Sequence, residues 1–145
     1  MINIFYSNNK MNIYLKYFIL SLIVLSLDIS WISLNYSKYN DTVKAIQGSP
    51  ISLNPLAGIL CYVVILISVL FYALPYIEYQ ITVKKYEKWQ ACLIFGGGLG
   101  FIIMAIYNLT TLSILKNHNW TITIIDCIWG TFLYTVSTVI YFYLL

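Results

Sequence analysis

Charge is scarce in this chain: 9% of its 145 residues are charged, and the eight basic ones are all lysine, with no arginine anywhere. Those lysines (Lys10, Lys16, Lys38, Lys44, Lys84, Lys85, Lys88 and Lys116) stand near the ends of apolar runs instead of forming a basic stripe, so nucleic acid is excluded as a partner. Cysteine is equally sparse. Cys61, Cys92 and Cys127 each fall inside an apolar segment, where a thiol behaves as a small apolar group, and their spacing matches no zinc pattern. That excludes a disulfide framework and a metal knuckle, and no cofactor is implied. The single histidine, His118, reads as a solvated turn residue.

What replaces the missing polar residues is hydrocarbon. The chain is 61% hydrophobic with a mean hydropathy of +0.81, more apolar surface than a soluble fold of this size can cover. A bilayer core asks for about 20 consecutive apolar residues per helix, and four segments meet that length: about 17–36, 53–77, 89–115 and 121–145. The expected architecture is an all-α integral membrane protein, a four-transmembrane-helix up-down bundle forming a single membrane domain over residues 1–145. A polar loop from Ser37 to Ser52, a lysine-rich loop from Glu78 to Lys88 and a short turn around Lys116 to Trp120 join the spans. A cleaved signal peptide is disfavoured, because the first run exceeds the 7–15 residues or so of a signal core and ends in Trp31 and Tyr36.

Lysine counts on the two sides place both termini in the cytoplasm by the positive-inside rule. The sequons at Asn35, Asn40 and Asn119 all fall toward the opposite face.

Two carboxylates inside the hydrocarbon are the informative feature, since an ionised Asp at a helix centre costs about 2.5–3.5 kcal/mol on the insertion scale. Four helices with short connections alternate in direction, so the end of helix one, the end of helix three and the start of helix four share a membrane face. At about 1.5 Å rise per residue, Asp28 and Asn108 lie roughly 12 Å inside their helix ends and Asp126 about 8–9 Å inside its own. The three are expected in one layer. Ser21, Asp28, Trp31 and Asn35 follow one stripe, Gly97, Gly100, Asn108 and Thr111 another, and Asp126, Trp129 and Gly130 project together.

No lysine lies within these spans to pair with the acids. The candidate site is therefore an intramembrane polar pocket lined by Asp28, Trp31, Asn108, Thr111, Asp126 and Trp129 that binds or translocates a proton, a cation or a cationic small molecule. Carboxylates supply charge, amide and hydroxyl groups supply hydrogen bonds, and the indoles supply a cation–π wall. Transport would call for a homodimer, because four helices leave too little wall for alternating access. The alternative makes Asp28 and Asp126 neutral acids that hydrogen-bond the bundle in a structural or interaction protein. A lipid-modifying enzyme, with one Asp as acid and the other as base, is the less favoured class, because the chain carries no nucleophile or metal constellation.

Gly96, Gly97, Gly98 and Gly100 sit in an apolar span with no preceding strand and no following Lys-Ser/Thr, so they read as a close-packing surface and not a phosphate loop. Trp89 and Trp120 suit interfacial anchors.

At the acids the chain resembles the bacterial and viral membrane proteins grouped as the domain-of-unknown-function 2177 family. The resemblance spans all four helices. It rests on Leu27-Asp28-Ile29-Ser30-Trp31, on Tyr107-Asn108-Leu109-Thr110-Thr111-Leu112, and on Trp120 followed by Asp126-Cys127-Ile128-Trp129-Gly130-Thr131. The family pattern in helix three resembles Tyr-Asp-Leu-Thr-Asn, so here Asn108 stands where an Asp is usual and Thr111 where an Asn is. The resemblance implies a compact four-helix membrane fold and brings no activity with it.

Overall fold

The computed structural model describes residues 11–145, so Lys10 lies outside the described residues. It contains α1 (Ile13–Leu34), α2 (Tyr36–Gln47), α3 (Pro55–Thr82), α4 (Lys88–Ile114) and α5 (Trp120–Leu144). All but α2 are long and apolar enough to cross a membrane.

Asparagine side chains open three of the four long helices. Asn12, Asn54 and Asn119 accept hydrogen bonds from the free N–H groups of Tyr14, Ala57 and Thr121, donors that have no partner within the first turn of a helix. Pro55 follows Asn54 at the first helical position, where its missing N–H costs nothing. Within α3 the winding widens to a π-helical turn over Ser68–Ala73, just before Pro75. That proline cannot donate to the carbonyl four residues back and its ring crowds it, and the wider turn accommodates both. A second π-helical turn, Cys92–Gly97, runs into the glycine cluster of α4.

The long helices alternate in direction. Tyr17 near the start of α1 meets Tyr141 near the end of α5, while Trp31 near the end of α1 stacks on Trp129 in the first half of α5. Tyr76 late in α3 likewise meets Phe95 early in α4.

The core is threaded by α5. Leu20 and Val24 of α1, Val69, Leu70 and Leu74 of α3, and Leu133 and Tyr134 of α5 form its main cluster. The Tyr134 hydroxyl, deep in that cluster, is hydrogen-bonded to Ser68, as a buried phenol requires. Away from the core the helices turn large apolar side chains outward, Phe18, Leu56, Phe71, Ile106 and Ile128 each being over 60% exposed. Water would oppose that surface strongly, whereas lipid tails cover it without penalty.

Helices α4 and α5 approach backbone to backbone. A Cβ built on Gly130 would lie 2.5 Å from Met104 Cγ and 2.8 Å from the Gly100 carbonyl oxygen, so only glycine fits. Gly96 and Gly97 face Thr138 and Thr135 in the same seam, whereas Gly98 looks into open space. The close-packing role expected for the glycine cluster thus belongs to three of its four members.

One expected loop is a helix. Residues 37–52 read as a polar connection, yet Tyr36–Gln47 form α2, with Tyr39, Val43 and Ile46 partly buried and Lys38, Asp41 and Lys44 exposed. Its apolar side chains recur at i, i+4 and i+7, an amphipathic spacing whose interior side needs a surface to cover. Gly48, at φ 77°, ends the helix in a left-handed conformation that costs glycine little. Asn117, itself at φ 70°, donates from Nδ2 to the Ala45 carbonyl at 3.1 Å and ties α2 to the α4–α5 turn. The other long connection is shorter than expected, because α3 continues through Glu78 as far as Thr82.

Candidate functional site

The six residues singled out from the sequence divide into two neighbouring groups, joined by a residue of α2. In the first group, Asp28 of α1 is only 6% exposed. The Trp129 indole donates from Nε1 to Asp28 Oδ1 at 2.8 Å. The Trp31 and Trp129 rings lie parallel, with centroids 4.4 Å apart and planes inclined by 2°. Each indole covers one face of the other, and neither ring lines the cavity described below.

The second group is Asp126 of α5 with Asn108 and Thr111 of α4. They border a cavity of about 320 Å³ whose remaining wall includes Tyr39, Thr42 and Gln47 of α2 and His118 of the α4–α5 turn. Asn108 is fully buried. Its Nδ2 donates to the Met104 carbonyl at 3.1 Å, but its Oδ1 has no protein partner. A buried acceptor left in that state costs roughly 1–3 kcal/mol.

Tyr39 links the groups. Its hydroxyl donates to Asp126 Oδ1 at 2.5 Å and accepts from Trp31 Nε1 at 3.1 Å. A line of hydrogen bonds therefore runs from Trp31 through Tyr39 to Asp126, and Trp31 is stacked on the indole that holds Asp28. Burial, reinforced by the hydrogen bond to the adjacent carboxylate, pushes the Tyr39 phenol well above its ordinary range.

His118 differs from the sequence expectation. A solvated turn histidine was expected, but both ring nitrogens are buried without a protein partner and the ring borders the cavity. The cause is α2, which lies against the α4–α5 turn and removes water from it. Tyr39, Thr42 and Gln47 escaped the sequence reading for the same reason. The signal that could have found them is the Tyr39, Val43, Ile46 spacing of an amphipathic helix.

Among the described residues no three of His, Cys, Asp and Glu come together as a metal-binding set. The cavity offers one carboxylate, one imidazole and several neutral oxygens.

The chain matches no curated protein and no solved structure. Residues 13–143 match the family described as predicted membrane protein (DUF2177), a stretch that takes in the five helices but for the last residue of α5 and every residue of both groups. This chain is a four-span helical membrane protein belonging to the DUF2177 family.

Proposed function

We propose that the protein binds a small cation in the cavity beneath α2, with Asp126 as the counter-charge. One observation carries this reading: a carboxylate and a fully buried asparagine, whose Oδ1 has no protein partner, border the same cavity of about 320 Å³. Pockets for small ligands start at roughly this volume and combine apolar walls with a few convergent polar groups. An acid within the hydrocarbon region marks a binding or conduction site when it faces a cavity.

Asp28 is read differently from Asp126. It is enclosed, held by Trp129 and absent from the cavity wall, so we assign it the structural part that sequence alone left open for both acids. Translocation, if the bound cation crosses, would require a second copy to complete the barrier. Lysine distribution puts the termini in the cytoplasm and therefore the cavity toward the opposite face.

The test is thermal unfolding of the detergent-purified chain, wild type, Asp126→Asn and Asp28→Asn, titrated with inorganic and organic cations across pH. A stabilisation by one cation class that survives Asp28→Asn and disappears in Asp126→Asn is the expected result. Equal responses of wild type and Asp126→Asn to every cation would remove the binding role and leave both acids structural.

A further inference from the structure

Most of the hydrogens on the cavity wall are engaged by the protein itself. Thr42 Oγ1 donates to the Lys38 carbonyl at 3.0 Å and Thr111 Oγ1 to the Tyr107 carbonyl at 2.8 Å. Gln47 Nε2 donates to the carbonyls of Ser49 and Pro50 at 3.2 and 3.0 Å. The Tyr39 hydroxyl is spent on Asp126, and one of the two Asn108 Nδ2 hydrogens on Met104. Apart from the second Asn108 Nδ2 hydrogen, what these five side chains and Asp126 have left to offer is lone pairs, because a hydroxyl or amide whose hydrogens are all engaged can only accept. The His118 ring and the Tyr107 phenol retain hydrogens of their own; a neutral imidazole adds one further acceptor.

Such a wall selects by chemistry. An anion would meet a carboxylate and a row of acceptors, so it is repelled. A bare metal ion is too small: at about 30 Å³ per water the cavity has the volume of about ten waters, and much of its wall is hydrocarbon, from Val43, Ile46, Leu115 and Ile122. The occupant that matches both the acceptors and the hydrocarbon is positive, rich in N–H donors and partly apolar.

We propose that the ligand is a small organic primary ammonium, its N–H groups shared among Asp126, Asn108 Oδ1 and His118 and its carbon chain lying along the apolar wall. This rests on the cation-binding reading above and narrows it to one class. Asn108 and His118 become binding residues, Asn108 through an acceptor that the bundle itself leaves unused and His118 through a ring that α2 has closed off from solvent. Hydrogen bonds from a charged donor are about twice as strong as neutral ones, so the number of N–H groups on the ligand sets the affinity.

The experiment is calorimetric titration of the detergent-solubilised full chain at constant ionic strength with n-butylammonium, n-butyltrimethylammonium, potassium and sodium chlorides. The primary amine is expected to bind at least about tenfold more tightly than the quaternary one, which has the same charge and no N–H donor. Asn108→Leu, similar in volume, should leave the unliganded fold as stable as wild type or more so, because it removes an unsatisfied acceptor, and weaken n-butylammonium by about tenfold or more. Should that variant not fold, His118→Phe probes another of the same contacts, with weaker amine binding expected. Equal affinity for the two amines overturns the hydrogen-bonding argument. Potassium or sodium binding that depends on Asp126, without amine binding, overturns the ligand class while the cation reading stands. Absence of any Asp126-dependent binding overturns both.

Discussion

Replacing Trp129 with Phe isolates the contact between α1 and α5 at Asp28. The substitution keeps an aromatic ring near Trp31 but deletes the N–H that reaches Asp28 Oδ1 at 2.8 Å. Two losses follow. Hydrogen bonds between membrane helices average about 0.6 kcal/mol and reach about 1.7, because the unfolded chain in the membrane also finds partners. The stacked pair is worth a further 0.5–1.5 kcal/mol or so, of which a phenyl ring retains part. Trp129→Phe should therefore cost about 1–2.5 kcal/mol. The assay is reversible unfolding in mixed detergent and dodecyl sulfate, followed by far-ultraviolet circular dichroism, which the loss of an indole does not confound. Asp28→Leu and the double variant close a cycle whose coupling energy should fall at about 0.6–1.7 kcal/mol. A coupling under about 0.3 kcal/mol, inside the usual scatter of additivity, would refute the assignment of Asp28 as an element of the fold held by Trp129.

Other consequences concern the glycines and Tyr39. Gly130→Ala places a methyl group against the Gly100 carbonyl and Met104 and should cost about 1–3 kcal/mol in the same unfolding assay, as overpacking does. Gly58→Ala, in a helical position with nothing within 4 Å of its Cβ, should be neutral or stabilising by up to about 1 kcal/mol. Tyr39→Phe cuts the line between Trp31 and Asp126, so cation-dependent stabilisation should change in that variant while Ser68→Ala, remote from the cavity, leaves it alone. Because the Tyr39 phenol is raised in the folded state, its contribution to stability is complete below the ordinary tyrosine value of about 10 and is lost as pH rises above it. Ultraviolet difference titration should accordingly show Tyr39→Phe ionising as many tyrosines as wild type up to about pH 11, and a loss of one tyrosine signal near pH 10 would contradict the burial of this phenol.

Particular residues show how far a linear reading reaches. The spans were legible because a bilayer imposes one simple requirement, length in apolar residues. The glycine seam was legible in kind, since small residues at spacing four admit a close neighbour, but not in detail: the sequence does not say that Gly98 points away while Gly97 packs. Helix α2 was lost in the polarity of Lys38, Asp41 and Lys44, although its three apolar positions were present throughout.

The membrane solvent, the number of crossings and the rarity of the two acids follow from composition and order alone, because hydrophobic transfer and helix geometry are local and additive along a chain. Which acid is enclosed and which faces a cavity is not a local property. Asp28 and Asp126 sit in similar D-x-x-W surroundings, yet one is capped by an indole from across the bundle and the other opens onto space roofed by α2. That distinction depends on where α2 lies, on the Asn117 contact to Ala45 that holds it there, and on the lone pairs left over after each side chain has found its nearest carbonyl. Those are relations between distant residues, and packing decides them.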